Sequence, residues 1–372
     1  MNEAQIATLS QWVKAGMPQG AARDLPKAPQ FADGWQLGEP DLVVEFSDTF
    51  EIPADGPDLY RSFAIPLNLG EQKWVRAVEF RPQARGSSHH ALFFWDGTGS
   101  AVKADVEDPD PGFGGMAEFS AVLRGRRGRS GEEEPTGGGL GGWAVGGSPQ
   151  PLPDGLARPL PAGADLVVQM HFHPSGKVEH EKARIGLYFA DRAPDKTLTG
   201  VQVPPVFGRF AGIDIPAGEK DFVVRDSFTT PIDLDVYGAG GHAHYLCTQM
   251  KMTATLPTGE EKTLLWIDRW DFAWQERYYF VDPMRLPAGT RLDVELHYDN
   301  SASNPANPSN PPVDVAWGRG SEDEMGALSI EVTAVDEADL PKLRQAQREQ
   351  FRDAVISRLK EAPGRMWRRL TQ

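Results

Sequence analysis

Along most of the chain, apolar residues alternate with polar ones over short runs. Strand-like runs, some alternating and some, such as 91–95, wholly apolar, lie at 42–46, 60–65, 74–80, 91–95, 166–172, 183–189, 222–228, 234–237, 245–253, 264–270, 292–298 and 327–333. Each run is bounded by Gly, Pro, Asp or Asn, and a period of two cut by turn formers predicts antiparallel β-strands. Helical spacing is confined to the ends. Ile6, Leu9, Trp12 and Val13 share one face of a helix predicted over 3–16 and stopped by Gly16 and Pro18. A second helix is predicted over 340–359, with Pro341 in its first turn and Leu343, Phe351, Val355 and Leu359 along one stripe. From Asp108 to Gly155 the alternation dissolves into a Gly/Pro-rich passage with Arg124 to Arg129, Glu132 to Glu134 and Gly137 to Gly142, which predicts a long loop.

One stretch of this pattern occurs twice. Leu160-Pro-Ala-Gly-Ala-Asp-Leu-Val-Val-Gln-Met-His-Phe172 matches Leu286-Pro-Ala-Gly-Thr-Arg-Leu-Asp-Val-Glu-Leu-His-Tyr298 in register, 126 residues apart. A Pro-Ala-Gly turn before a strand recurs by chance; a shared terminal His-aromatic pair points to duplication. The expected fold is therefore all-β: two tandem antiparallel β-sandwich, jelly-roll-like domains at 40–197 and 198–335. A helix and linker (1–39) precede them and a basic helix (336–372) follows.

Size agrees with two domains, since 372 residues can bury two cores without covalent staples. A net charge of −15 argues against a nucleic-acid surface. From Lys342 onward, however, nine Lys/Arg stand against three Asp/Glu, so a basic tail sits on an acidic body. No apolar run reaches the length of a membrane span. The first residues lack a signal-peptide pattern, which leaves a cytosolic chain or the trimmed form of an exported one. Cys247 is the single cysteine, so an internal disulfide framework and a Cys-rich zinc site are excluded.

The histidines concentrate the chemistry. His242 and His244 lie two apart in Gly240-Gly-His-Ala-His-Tyr245, a strand-like run with small neighbours. Side chains at i and i+2 leave one strand face, so both imidazoles can reach one ion. The plainer alternative is two histidines that merely share a face. His89 and His90 are adjacent at a strand start, and adjacent strand residues can serve one ion only at a strand end or bulge. His171 would complete an all-imidazole trio with them; the alternative is one buried histidine and two exposed ones. For the second set, Met325 in Ser321-Glu-Asp-Glu-Met-Gly326 offers a thioether, although a loop methionine is commonly a gap-filler. Two imidazoles with a thioether favour Cu(I) over zinc or a hard cation.

Taken in order, His89-His90, Gln169-Met-His171-Phe, His242-Ala-His244 and Ser321-Glu-Asp-Glu-Met325 resemble the copper type II, ascorbate-dependent monooxygenases. That group contains peptidylglycine α-hydroxylating monooxygenase and dopamine β-monooxygenase, and the resemblance covers about residues 40–335. Trp270-Asp-Phe-Ala-Trp-Gln275 and the run from Tyr298 to Pro308 look like the uncharacterised bacterial branch. The resemblance implies two copper ions per chain, facing each other across an open, water-filled cleft. His89, His90 and His171 would hold the electron-transfer copper. His242, His244 and Met325 would hold the copper at which dioxygen is activated and a C–H bond of a small organic substrate hydroxylated. Ascorbate or another one-electron donor would reduce both.

Three departures narrow the substrate. Where peptide-amidating members carry an Arg before the His-X-His pair, a Tyr after the Met and an Asn between them, this chain has Gly240, Ser329 and Ala327. A peptide ending in glycine is therefore not the expected substrate. His297 occupies the place of His171 in the internal repeat and is a further candidate ligand of the second ion, or a donor behind it; the alternative is a histidine bonded to nearby backbone. The helix at Trp12-Val13 resembles the end of a c-type cytochrome domain, which would make such a cytochrome a candidate electron donor. Without Cys-X-X-Cys-His, this chain itself binds no covalent haem. The expected setting is periplasmic or secreted. Two other classes compete: a copper-binding or electron-transfer protein on the same fold without hydroxylase activity, and a zinc hydrolase, for which no His-Glu-X-X-His is present.

Overall fold

Alternating runs form strands because a pleated chain turns every second side chain to the same side, where a facing sheet can bury it. The computed structural model describes residues 3–28, 34–114, 137–318 and 320–370, with side chains of the last helix to residue 360. The protein is all-β, built of antiparallel sheets. In the first half, a four-stranded sheet runs Leu42–Glu45, Arg184–Phe189, Lys73–Arg81, Arg158–Leu160. A five-stranded sheet runs Phe113–Gly114, Leu59–Pro66, Asp165–Phe172, Ser88–Asp96, Gly137–Ala144. Phe63, Phe93 and Phe172 from the second sheet pack with Phe80, Ile185 and Leu187 from the first. Burying each such side chain contributes about 1.5–3 kcal/mol.

The second half repeats the plan. One sheet runs Thr199–Val203, Gly326–Ala334, Leu234–Ala243, Arg277–Leu286; the other runs Phe222–Thr229, Arg291–Tyr298, Cys247–Thr255, Glu261–Ile267. Val203, Val236 and Ile330 meet Met250, Val294 and Leu296 between them. Among the described residues, every named sheet takes its strands from one half of the chain. The internal repeat has a structural counterpart: Ala164 N donates to Pro161 O at 3.3 Å and Thr290 N to Pro287 O at 3.1 Å. Gly163 (φ 69°) and Gly289 (φ 83°) take the left-handed conformation each turn needs.

Several expectations are corrected. Gly137–Ala144 is a strand, paired along its length with Ser88–Asp96. Its glycines lack the alternation that marks a strand, because the partner's side chains occupy their face. A Cβ on Gly138 would fall 2.5 Å from the Trp95 indole nitrogen. The rest of the expected loop at 115–136, including Arg124 to Arg129 and Glu132 to Glu134, lies outside the described residues. Ser100–Glu107 is a short helix with Ala101 buried against Phe113 and Val167. Arg277–Leu286 is an edge strand, hidden in the sequence because most of it is exposed and the pairing slips between Val236 and Gly238. The N-terminal helix spans Glu3–Lys14, yet Ile6, Leu9, Trp12 and Val13 are all exposed. The C-terminal helix spans Leu340–Leu370; Leu340 and Leu343 are buried, while Phe351 and Leu359 of the predicted stripe are exposed. No helix among the described residues is long and apolar enough to cross a membrane.

Candidate metal centre

The first three histidines converge because of one irregularity in the ladder. Ser88 pairs with Phe172 and His90 with His171, so His89 is an extra residue bulged out between them. Ala91, Phe93 and Trp95 point into the core, as do Leu166, Val168, Met170 and Phe172. His90 and His171 therefore stand on the opposite, outward face, and the bulge swings His89 to join them. The ligand atoms of all three lie within 4.8 Å of one another. His90 Nδ1 is 3.3 Å from both His89 Nδ1 and His171 Nδ1. That spacing matches the edge of a tetrahedron around an ion with metal–nitrogen bonds of about 2.0–2.1 Å.

The surroundings prepare these nitrogens. His171 Nε2 donates to Asp58 Oδ2 at 2.7 Å, leaving the Nδ1 lone pair for an ion. Burial pushes the imidazole pKa of His89 down to about 4, helped by neighbouring His171, and holds His90 well below the ordinary value. Both are neutral at pH 7, as ligation requires. Behind them the buried Glu181 accepts from Ser88 Oγ at 2.6 Å, Gln83 N at 2.8 Å and Ala84 N at 3.3 Å, fixing the turn that leads into the bulge.

The second set is built at a strand end. Ala239 and Ala243 lie in the core, and a Cβ on Gly241 would strike Met250 there, so Gly240 and His242 face outward. Ala243 pairs with Gly326 and His242 with Ala327. Continued by one residue, that register sets His244 opposite Met325, eighty-one positions further along the chain. Both imidazoles have Nδ1 engaged. His242 Nδ1 donates to Gln275 Oε1 at 2.7 Å, and Gln275 Nε2 donates to Phe272 O at 3.0 Å, which fixes the amide's orientation. His244 Nδ1 donates to Asp323 O at 3.0 Å. These bonds leave Nε2 of His242 for an ion, while the His244 ring also has the Gly320 backbone as a neighbour. Burial drives the His244 pKa down to about 3 and lowers that of His242.

Glu324 holds this arrangement. It is fully buried, and its carboxyl accepts from His244 N, Met325 N and Leu246 N. Met325 itself is buried. The sequence marked this turn as acidic without showing that one of its acids points inward.

The two sets do not face an open cleft, as the resemblance implied. Phe272, 8% exposed, stands between them. Its ring lies 5.5 Å from that of His89 in a stacked geometry, 6.0 Å from His171 and 5.8 Å from His244. Trp270 Nε1 donates to His244 O at 3.0 Å, so the segment carrying Phe272 is tied to the second set. Phe207, φ 52°, adds an edge contact to His242 at 5.1 Å.

His297 is not brought to this centre. It lies on the outward face of the other sheet of its sandwich, paired with Val223 and Gln249. Its nitrogens meet Asp221 at 2.8 Å and Glu295 at 2.6 Å. The repeat is real, but the face on which it places His297 is not the face that meets the first half. Gly240 leaves room for the guanidinium of its cross-strand partner Arg277, whose Cζ is 3.7 Å from where a Cβ would be. That guanidinium shares the buried Glu331 with Arg158 from the first half. His173 donates to Asp58, and His180 lies exposed on the strand Glu179–Glu181.

No family model matches the chain, and no curated protein matches it. Among solved structures it is similar to the VP2 subviral particle of infectious bursal disease virus. That match has 9% identity over 82% of this chain and 74% of that one, with a TM-score of 0.19. It is also similar to PNGF-II, at 10% identity, 84% and 62% coverage and a TM-score of 0.24. The tandem CBM22-1–CBM22-2 domain of Paenibacillus barcinonensis Xyn10C gives 9% identity, 79% and 93% coverage and a TM-score of 0.16. Likenesses at these scores carry nothing about chemistry.

Proposed function

We propose that the chain is a two-copper monooxygenase similar to the copper type II, ascorbate-dependent enzymes, with residues 40–197 and 198–335 as its two copper domains. The observation that carries this reading is the presence of two different nitrogen-donor sets on either side of one phenyl ring. The first offers three imidazoles, with the Nδ1 atoms of His89 and His171 each 3.3 Å from that of His90. The second offers two imidazoles whose Nδ1 atoms are engaged, on the strand end whose register leads to the buried Met325. A thioether with imidazoles suits Cu(I), and one site rich in imidazole beside one with sulfur fits a division of labour between electron storage and substrate oxidation. Copper at both sets would supply the redox chemistry, turning R–H, O2, two electrons and two protons into R–OH and water.

The chain's own residues orient the donors. Asp58 aims His171, Gln275 aims His242, and the Asp323 carbonyl aims His244. The one-electron donor would be ascorbate or a c-type cytochrome, in a periplasmic or secreted setting; both follow from the resemblance. By the resemblance, Gly240, Ala327 and Ser329 replace the residues that grip a terminal carboxylate, and the Arg277 guanidinium beside Gly240 is shared with Glu331, so the substrate is a small organic molecule other than a peptide ending in glycine.

The test is copper stoichiometry after reconstitution, on wild type and Met325→Ala, with X-ray absorption to detect sulfur ligation. Two ions per chain, with the variant losing only the sulfur-ligated one, are expected. One ion or none in the wild type, or no effect of Met325, overturns the assignment. The enclosed position of Phe272 favours a second reading, a copper-binding or electron-transfer protein without hydroxylase activity. Ascorbate-driven O2 consumption by the copper-loaded chain separates the two.

A further inference from the structure

Besides Phe272, a polar link joins the first histidine set to the turn that precedes Met325. Asp58 Oδ1 accepts from His173 Nδ1 at 2.7 Å. Its Oδ2 accepts from His171 Nε2 at 2.7 Å and also from Ser321 Oγ at 3.3 Å. The Tyr60 hydroxyl is 3.0 Å from Ser321 Oγ, and its ring stacks on His171 at 4.4 Å and 8°. Ser321, 9% exposed, opens the turn that supplies the Asp323 carbonyl behind His244, the Glu324 carboxyl and Met325. A single carboxylate oxygen therefore touches a donor of the first set and the segment that builds the second.

We propose that Asp58 and Ser321 couple the two sites, so that an ion on His89, His90 and His171 raises the affinity of His242, His244 and Met325 for theirs. The inference rests on the two-copper reading. An ion on His171 Nδ1 withdraws electron density from the ring and makes Nε2–H a stronger donor, which pins Asp58. Pinned, Asp58 holds Ser321 and with it the turn, so the second ion no longer bears the entropic cost of ordering that turn. The effect is reciprocal, because a coupling free energy belongs to both sites.

A cycle of four full-length proteins tests this: wild type, His90→Ala, Ser321→Ala and the double variant. Each is titrated with Cu(I) against a chromogenic Cu(I) chelator, and the sulfur signature in X-ray absorption reports the second site. Removing the first site by His90→Ala should weaken the second about 5-fold or more when Ser321 is present. In the Ser321→Ala background the same change should leave the second site within about 2-fold, with Ser321→Thr restoring the coupling. Ser321→Ala removes one hydroxyl while Phe272 and the Arg158–Glu331 pair still span the two halves. Equal effects of His90→Ala in both backgrounds overturn the coupling and leave the two-copper reading intact. A wild type that binds fewer than two ions overturns both.

Discussion

Glu324→Ala is the substitution whose cost the geometry defines most directly. The carboxyl accepts from His244 N at 2.5 Å, Met325 N at 2.8 Å and Leu246 N at 3.0 Å, and no part of it reaches solvent. Burial pushes its pKa up to about 8, so the group sits there at a desolvation cost that the backbone donors offset only in part. Each buried N–H left without an acceptor costs about 1–3 kcal/mol. A water entering the vacated space recovers part of that. With relief of the buried acid also counted, the net loss should be about 3–5 kcal/mol. Urea unfolding of the metal-free chain measures it as a lower midpoint at unchanged slope. Copper binding should fall from two ions to one, because the strand end and the Met325 turn lose their common anchor. Glu324→Gln, which keeps one accepting oxygen, should fall between. A loss under about 1 kcal/mol with both ions retained would refute the view that this carboxyl shapes the second set.

Gln275→Ala removes the acceptor that fixes the His242 tautomer and should weaken the second site about 10–100-fold while sparing the first; a Cu(I) titration that shows equal weakening at both sites would contradict it. At His297, burial alone would lower the pKa, but Asp221 and Glu295 outweigh it and raise it above the ordinary value. The protonated ring is thus favoured by folding. Its contribution is full below the unfolded-state pKa of about 6.5 and lost as pH rises through the folded one. His297→Ala should therefore flatten the fall in urea stability on the alkaline side of that window, by up to about 1 kcal/mol, and leave both ions bound. Identical pH slopes, or a missing ion, would refute this placement.

The strands that alternate were legible because half-buried sheets impose that alternation. Leu292 to Tyr298 declares its inward face residue by residue, whereas Leu166 to Phe172 also buries Val167 on its opposite face. His242 and His244 were legible for the same reason. Asp58 was not, and although the segment Trp270 to Gln275 stood out by resemblance, the contacts of Phe272 and Gln275 with the histidines were not, since each meets a histidine far along the chain only once the fold forms. Gly137–Ala144 was missed because the information resides in its partner: Trp95 and Leu92 cover glycines that say little by themselves. His297 shows the converse. The matching segments share a residue and a turn, while the surface used for contact between the halves differs, so His297 meets Asp221 and Glu295 and no other histidine set.

The bulge at His89 bears on how such a protein can change over generations. His89 is one residue more than the ladder needs between Ser88 and His90. Deleting it would leave Ser88 and His90 facing Phe172 and His171 in a regular antiparallel pair, with Ala91, Phe93 and Trp95 still turned inward. A single-codon deletion could thus extinguish the trio while the sandwich kept its core. In a lineage that no longer used the metal, this is where the chain would be expected to shorten. Descendants retaining that extra residue would mark the branches in which selection still acts on the site.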